Sequence, residues 1–233
     1  LPGWRIVSFV YGLGALLFSY WAGSFLFSKN ARTPVEDSVA TNPTKNLPDF
    51  SLLRNSRYAL PILANSFDAF GSDRIFTFLP FLLLAKNIEP QKIGLFALLF
   101  TLSGFGGKMV CGRLVDRFGA RPVFIAAESS MALLLGILVV ATQPSLLMGI
   151  AFLLGIVTKG TVPAVQTIVA NTVEDPTEYD DIFTLNNLSR GATNIVAPLV
   201  FGFIAAAHGV IWAYGVMGIA VCCAVLPIAM MKK

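Results

Sequence analysis

Histidine, cysteine and charge are all scarce in this sequence. Of its 233 residues one is histidine and three are cysteine, and Asp, Glu, Lys and Arg together make up 13%. Soluble domains carry about 25% charged residues, so a water-soluble core of this size is not expected. The lone His208 cannot supply the paired histidines of an HExxH metalloprotease helix. Gly71-Ser72-Asp73 lacks the second glycine of the Gly-x-Gly-Asp pattern used by aspartyl intramembrane proteases. There is no Gly-x-x-x-x-Gly-Lys phosphate loop, so ATP-driven chemistry is unsupported. Cys111, Cys222 and Cys223 lie in or beside apolar runs without metal-ligand spacing, and the adjacent pair could bridge only with strain. They read as small hydrophobes. The expectation is no enzyme, no metal and no cofactor.

What is abundant is hydrophobic sequence, 55% of the chain. Apolar runs of about the 20 residues needed to cross a bilayer recur at roughly 6–27, 58–85, 93–112, 122–142, 145–170, 182–207 and 210–231. None alternates as the strands of a membrane β-barrel do. The expected fold class is an all-α membrane protein of seven transmembrane helices, a six-helix bundle plus one preceding helix. The first run would itself direct insertion, so no signal peptide is needed. The start at Leu1, without Met, reads as a cut from something longer, and Met231-Lys232-Lys233 reads as a natural cytoplasmic end.

The net charge of +4 is explained by topology rather than by nucleic acid. With the segment Gly112–Arg121 placed inside, Lys29, Arg32, Lys45, Arg54, Arg57, Lys108, Arg113, Arg117, Arg121, Arg190, Lys232 and Lys233 fall on the cytoplasmic side, and only Arg5, Lys86 and Lys92 opposite. That asymmetry obeys the positive-inside rule. It puts the N-terminus outside and the C-terminus in the cytoplasm of an inner or plasma membrane. Residues 29–57, with Pro34, Pro43 and Pro48 among scattered charges, read as a cytoplasmic tether. Within it, Phe50–Arg54 reads as a short amphipathic turn on the membrane surface. The expected organisation is therefore one leading helix at 1–28, a central cytoplasmic linker at 29–57, and a six-helix bundle at 58–233.

Gly112-x-x-x-Asp116-Arg117-x-Gly119-x-Arg121 is a charged, glycine-punctuated turn between two membrane-length runs. It resembles the loop motif of the major facilitator superfamily. Gly155-x-x-x-x-Gly160-x-x-Pro163, Arg190-Gly191, Ala197-Pro198 with Gly202, and the opening Gly3-Trp4-Arg5 are similar to other helices of that family. The resemblance spans essentially the whole chain and implies the C-terminal portion of such a transporter, its N-terminal half being the missing partner. Three positions depart from the family pattern, in two places. Ala120 and Pro122 relax the basic end of the motif, and Ala197 replaces the glycine of a Gly-Pro pair. The resemblance also implies that Gly112, Arg113, Asp116, Arg117, Gly119 and Arg121 act as a conformational latch. Physically, Asp116 just past a helix end would accept from the N-terminus of a facing helix, and the arginines would bridge to carboxylates or lipid phosphates.

A charge at bilayer depth costs about 2.5–3.5 kcal/mol on insertion scales, so such residues face protein or water. Asp68, Asp73 and Arg74 lie in the run at 58–85, and Lys159 lies near the middle of 145–170. By the resemblance, both runs line the central cavity. Asp68, Asp73 and Arg74 point in different directions on one straight helix, so a break at Gly71-Ser72 is expected. Asn187, Arg190 and Asn194 recur at helical spacing as a polar strip near Asn186. They either line an inner gate or bond neighbouring helices. Glu128, alone in its run, is expected to partner an arginine of the motif.

These residues form the expected substrate or proton path. Lys159 and Arg74 would attract an anion, and Asp68 or Asp73 would take a proton or balance charge. The alternative is an ion pair that only fixes packing. The expected function is a secondary active transporter moving a small solute, an organic anion, by alternating access with protons as coupling ion. Drug or metabolite efflux by proton antiport is the alternative, and a non-transporting receptor or scaffold on the same fold is the alternative of another class. Expected partners are the substrate, protons and membrane lipid.

Overall fold

The computed structural model describes Leu13, Leu17, Tyr20 and residues 48–231. Leu13, Leu17 and Tyr20 are helical. The rest of the expected first span, the linker up to residue 47, and Lys232-Lys233 lie outside the described residues. The chain divides into two compact units, Leu1–Asn46 and Leu47–Lys233. Among the described residues the second unit is all helix: α1 (Ser56–Ala85), α2 (Pro90–Phe118), α3 (Ala120–Val140), α4 (Pro144–Thr172), α5 (Tyr179–His208) and α6 (Val210–Met230). Single 3-10 turns at Phe50–Arg54 and Pro176–Glu178 precede α1 and α5. The first of these is the short turn anticipated there.

Five helices, α2 to α6, are long and apolar enough to cross a membrane. The expected count of seven is thus not reproduced among the described residues. At 30 residues α1 has the length, but its sequence carries Arg57, Asp68, Asp73 and Arg74, and four charges lower its hydropathy.

Helix lengths run 30, 29 and 21 residues in α1–α3 and 29, 30 and 21 in α4–α6. The joints repeat as well. The second and third helices of each triplet are separated by one glycine, Gly119 at φ 88° and Gly209 at φ 95°, a backbone region that side chains other than glycine's avoid. Packing follows the same exchange, with α2 against α4 as α5 is against α1, and α1 against α6 as α4 is against α3. The sequence motif thus sits differently from expectation. Gly112 to Phe118 form the last two turns of α2, and the turn is Gly119 alone.

Small residues set the closest contacts. A Cβ on Gly107 would overlap the Ile156 backbone, one on Gly155 would overlap Ser103 and the Phe100 carbonyl, and one on Gly160 would strike Cys111 Sγ. The α2–α4 crossing therefore depends on three glycines, as small-residue packing does where lipid supplies no hydrophobic drive between helices. Gly71 plays the same part between α1 and α6, against the Met217 carbonyl and Val221. Helix α1 runs unbroken through Gly71-Ser72, so the anticipated break is absent, because the glycine serves close approach. The main core joins Leu79 and Leu82 of α1, Phe96 of α2, Met131 and Leu135 of α3, Leu154 of α4 and Tyr214 of α6. The Tyr214 hydroxyl donates to the Ile75 carbonyl at 2.6 Å.

Gly107→Ala or Gly155→Ala is expected to lower unfolding stability by about 1–3 kcal/mol through overpacking. Gly94→Ala and Gly136→Ala, where the methyl meets open space, are expected to leave it unchanged or raise it by up to about 1 kcal/mol. Thermal unfolding of the purified chain in detergent distinguishes the two classes.

Candidate functional site

Two parallel helices, α1 and α5, are joined by a ladder of polar side chains in nearly constant register. Tyr58 OH donates to Glu178 Oε2 at 2.6 Å, Asn65 Nδ2 to Asn186 Oδ1 at 2.7 Å, and the Ser66 and Ser189 hydroxyls share a 2.6 Å bond. Arg190 then reaches back to α1 twice, Nη1 to Asn65 Oδ1 at 2.9 Å and Nη2 to Asp73 Oδ2 at 2.8 Å. Arg74 Nη2 donates to Asn194 Oδ1 at 2.7 Å. Apart from Glu178, which ends the 3-10 turn before α5, the partners lie on α1 and α5, where polar residues recur at three- and four-residue spacing and make a stripe on each helix. Where no water is available, each group needs such a partner.

Asp73 also faces a cavity of about 270 Å³ between α1, α2 and α4, lined by Phe76, Thr77, Phe100, Thr101, Gly104, Phe105, Lys108 and Lys159. Its charge is met by Arg190, whose side chain is 21% exposed against 18% for Asp73. The pocket's remaining charges are the two lysines. Among the described residues the ion pairs are Arg57–Glu174, Lys92–Glu89 and Arg190–Asp73, and Lys159 is in none of them. Lys159 lies some 22 Å along α4 from Pro144 at 1.5 Å per residue. Its Cγ would be 2.9 Å from a Cβ on Gly104, so the glycine leaves the space through which the lysine stem passes. Phe76 and Phe100, with ring centroids 5.3 Å apart, form an apolar wall.

Two of the in-helix prolines free a carbonyl at a residue of the site. Pro163 lies inside α4 and Pro198 inside α5. Each lacks the N–H that would bond the carbonyl four residues before it, namely that of Lys159 and that of Asn194.

Of the residues singled out in the sequence, Asp73, Arg74, Arg190 and Asn194 come together in the ladder, and Asp73 and Lys159 in the cavity. Asn187 is exposed on α5 and outside both. Asp68, 1% exposed, turns instead toward the fully buried Glu128 of α3. Glu128 makes no hydrogen bond with any motif arginine among the described residues. The expected partnership fails because its side chain points to the core while Arg113 and Arg117 are exposed on α2. Asp116 is likewise exposed and lies within the helix rather than past its end. Arg117 stacks over Phe118 at 5.2 Å, and Arg121 Nη1 donates to the Met231 carbonyl at 3.4 Å.

Sequence reasoning missed Asn65, Ser66, Ser189 and Lys108. The signal was there for the first three: Asn65, Ser66 and Asp73 share an α1 face, as Asn186, Ser189 and Arg190 share one of α5. Neutral polar residues simply stand out less than charges do.

A bundle of membrane-length helices with charged side chains along their interior defines a multi-pass membrane protein. The family model of the Major Facilitator Superfamily matches residues 62–232, and the chain belongs to that family of small-molecule transporters. No curated protein matches the chain.

Arg190→Ala is expected to cost about 1.5–3 kcal/mol, the worth of hydrogen bonds to a charged group, because it strands Asp73 and Asn65 together. Arg190→Lys, which cannot span both acceptors with a planar fork, should recover only part of it. Denaturation midpoints of the three proteins check this.

Proposed function

We propose that the chain is the second half of a secondary transporter that moves a small organic anion by alternating access, coupled to protons. One observation carries the reading: in the α1–α2–α4 cavity, Asp73 is neutralised by Arg190 and two lysines remain. A cavity of about 270 Å³ with an excess of positive charge and a phenylalanine wall suits a carboxylate carrying a short apolar body. Lys159 binds the carboxylate, Thr77 and Thr101 offer hydroxyls, and Phe76 and Phe100 meet the apolar part. Arg74, at the ladder's far end, is a further cation, outside the cavity lining, whose hydrogen-bond partner in the ladder is a neutral amide.

In this reading the other half of the path is a second six-helix bundle, and rocking of the two opens the cavity to each side in turn. The Gly112–Arg121 segment faces the cytoplasm and latches that side. Its exposed Asp116, Arg113 and Arg117 are free to engage a facing helix end or lipid phosphates in one state and release them in the other. The membrane is the inner or plasma membrane, with the C-terminus inside.

Lys159→Ala is expected to raise KM for a monocarboxylate at least about tenfold, equivalent to about 1.4 kcal/mol. Radiolabelled uptake into proteoliposomes containing the full-length transporter measures it. Preference for an organic cation over the anion would overturn the reading of the pocket. Asp116→Asn is expected to cut uptake severalfold at unchanged expression, and equal uptake at equal expression counts against the latch.

A further inference from the structure

We propose that Asp68 of α1 and Glu128 of α3 form a buried carboxyl pair that holds one exchangeable proton between them. Its use in coupling rests on the transport reading above, whereas the proton itself rests on the geometry. Asp68 is 1% exposed and Glu128 0%. All four carboxyl oxygens are buried, and among the described residues no hydrogen-bond donor reaches any of them. The two groups face each other across the interior of the bundle.

Carboxylates only accept hydrogen bonds, whereas a carboxylic acid also donates. Two ionised carboxylates set face to face would repel and leave every acceptor empty in a medium without water. One proton removes a charge and creates an O–H···O⁻ bond, among the stronger kinds. Like-charge pairs that cannot both ionise behave in this way.

The neighbours supply no other remedy. From α5, Arg190 acts on Asp68, but its Nη1 and Nη2 are engaged by Asn65 and Asp73. On α1 itself Asp73 adds negative charge, and the Ser72 hydroxyl lies beside Asp68 outside hydrogen-bond geometry. From α6, Cys222 faces Glu128 and brings a thiol rather than a cation. From α4, Thr158 donates to Met131 Sδ, one turn from Glu128.

The pair is thus separate from the lysine pocket yet tied to it. Asp73 lines the pocket and also acts on Asp68. Protonation is a plain exchange: Asp68 and Glu128 as a hydrogen-bonded acid and carboxylate release one proton to water and become two carboxylates. Asp68–Glu128 repulsion and the charge felt at Asp73 both rise on release. The state of the pair and the occupancy of the pocket then act through one turn of α1.

Infrared spectroscopy of the purified chain in lipid bilayers tests the proposal. At neutral pH the wild type is expected to show a protonated-carboxyl C=O band that shifts down in heavy water and disappears in one step at alkaline pH. Asp68→Asn and Glu128→Gln are each expected to lose the band, because the new amide donates to the remaining carboxylate. Asp73→Asn is expected to keep it. A wild type without the band at neutral pH, or a band surviving in both single variants, would overturn the pair. The wild-type measurement decides even if a variant misfolds, which the helical amide bands of the same spectra report. Anion uptake is read separately: its absence in the full-length transporter sinks the transport reading while the band still decides the pair.

Discussion

Arg190 bonds Asp73 and Asn65 at once, and the charge balance of the whole bundle follows from that bridge. Helix α5 has little apolar attachment: 11% of its most apolar window is buried, against 44% in α4 and in α6. Polar contacts to α1 therefore hold it in place, and Arg190 makes two of them. With its guanidinium engaged by Asp73, Arg190 leaves the two lysines that line the cavity without an ion-pair partner among the described residues. The same engagement withholds a cation from Asp68, so that carboxyl turns to Glu128. One bridge thus sets the electrostatic character of two places on α1.

The scaffold around the bridge is rigid where glycine permits it. Gly107, Gly155 and Gly160 bring α2 and α4 into backbone contact, Gly71 does so for α1 and α6, and Gly104 clears a passage for Lys159. These closely packed pairs have one arrangement that fits, since dense interiors deform little. The repeated helix lengths and the single-glycine joints at Gly119 and Gly209 describe two triplets of inverted order, an architecture in which substrate sites form between repeats. The carbonyls freed by Pro163 and Pro198 are those of Lys159 and Asn194.

Much of this was legible in the amino-acid order, and particular residues say why. Among the described residues the apolar runs located the six helices to within about three residues at every end but one, α2 running on to Phe118 where the apolar run stops at 112. The motif's position was plain, yet its form was misjudged: charge and glycine suggested a loop, while Gly112 to Phe118 continue α2 because arginine and leucine are good helix formers. Gly71-Ser72 was read as a break when the glycine was needed for packing. Glu128 looked solitary because its partner lies sixty positions earlier on another helix.

By itself the sequence determined an all-helical membrane protein, the positions of its charges along each helix and the family to which it belongs. Those properties depend on composition and spacing along one helix at a time. Only the tertiary structure decided which charges meet: Asp73 with Arg190, Arg74 with Asn194, Asp68 with Glu128, and Lys159 with the open cavity. Partner choice depends on the azimuth at which two helices cross, and that is set by glycine contacts far apart in the chain. The same side chains on helices rotated by one position would make a different protein.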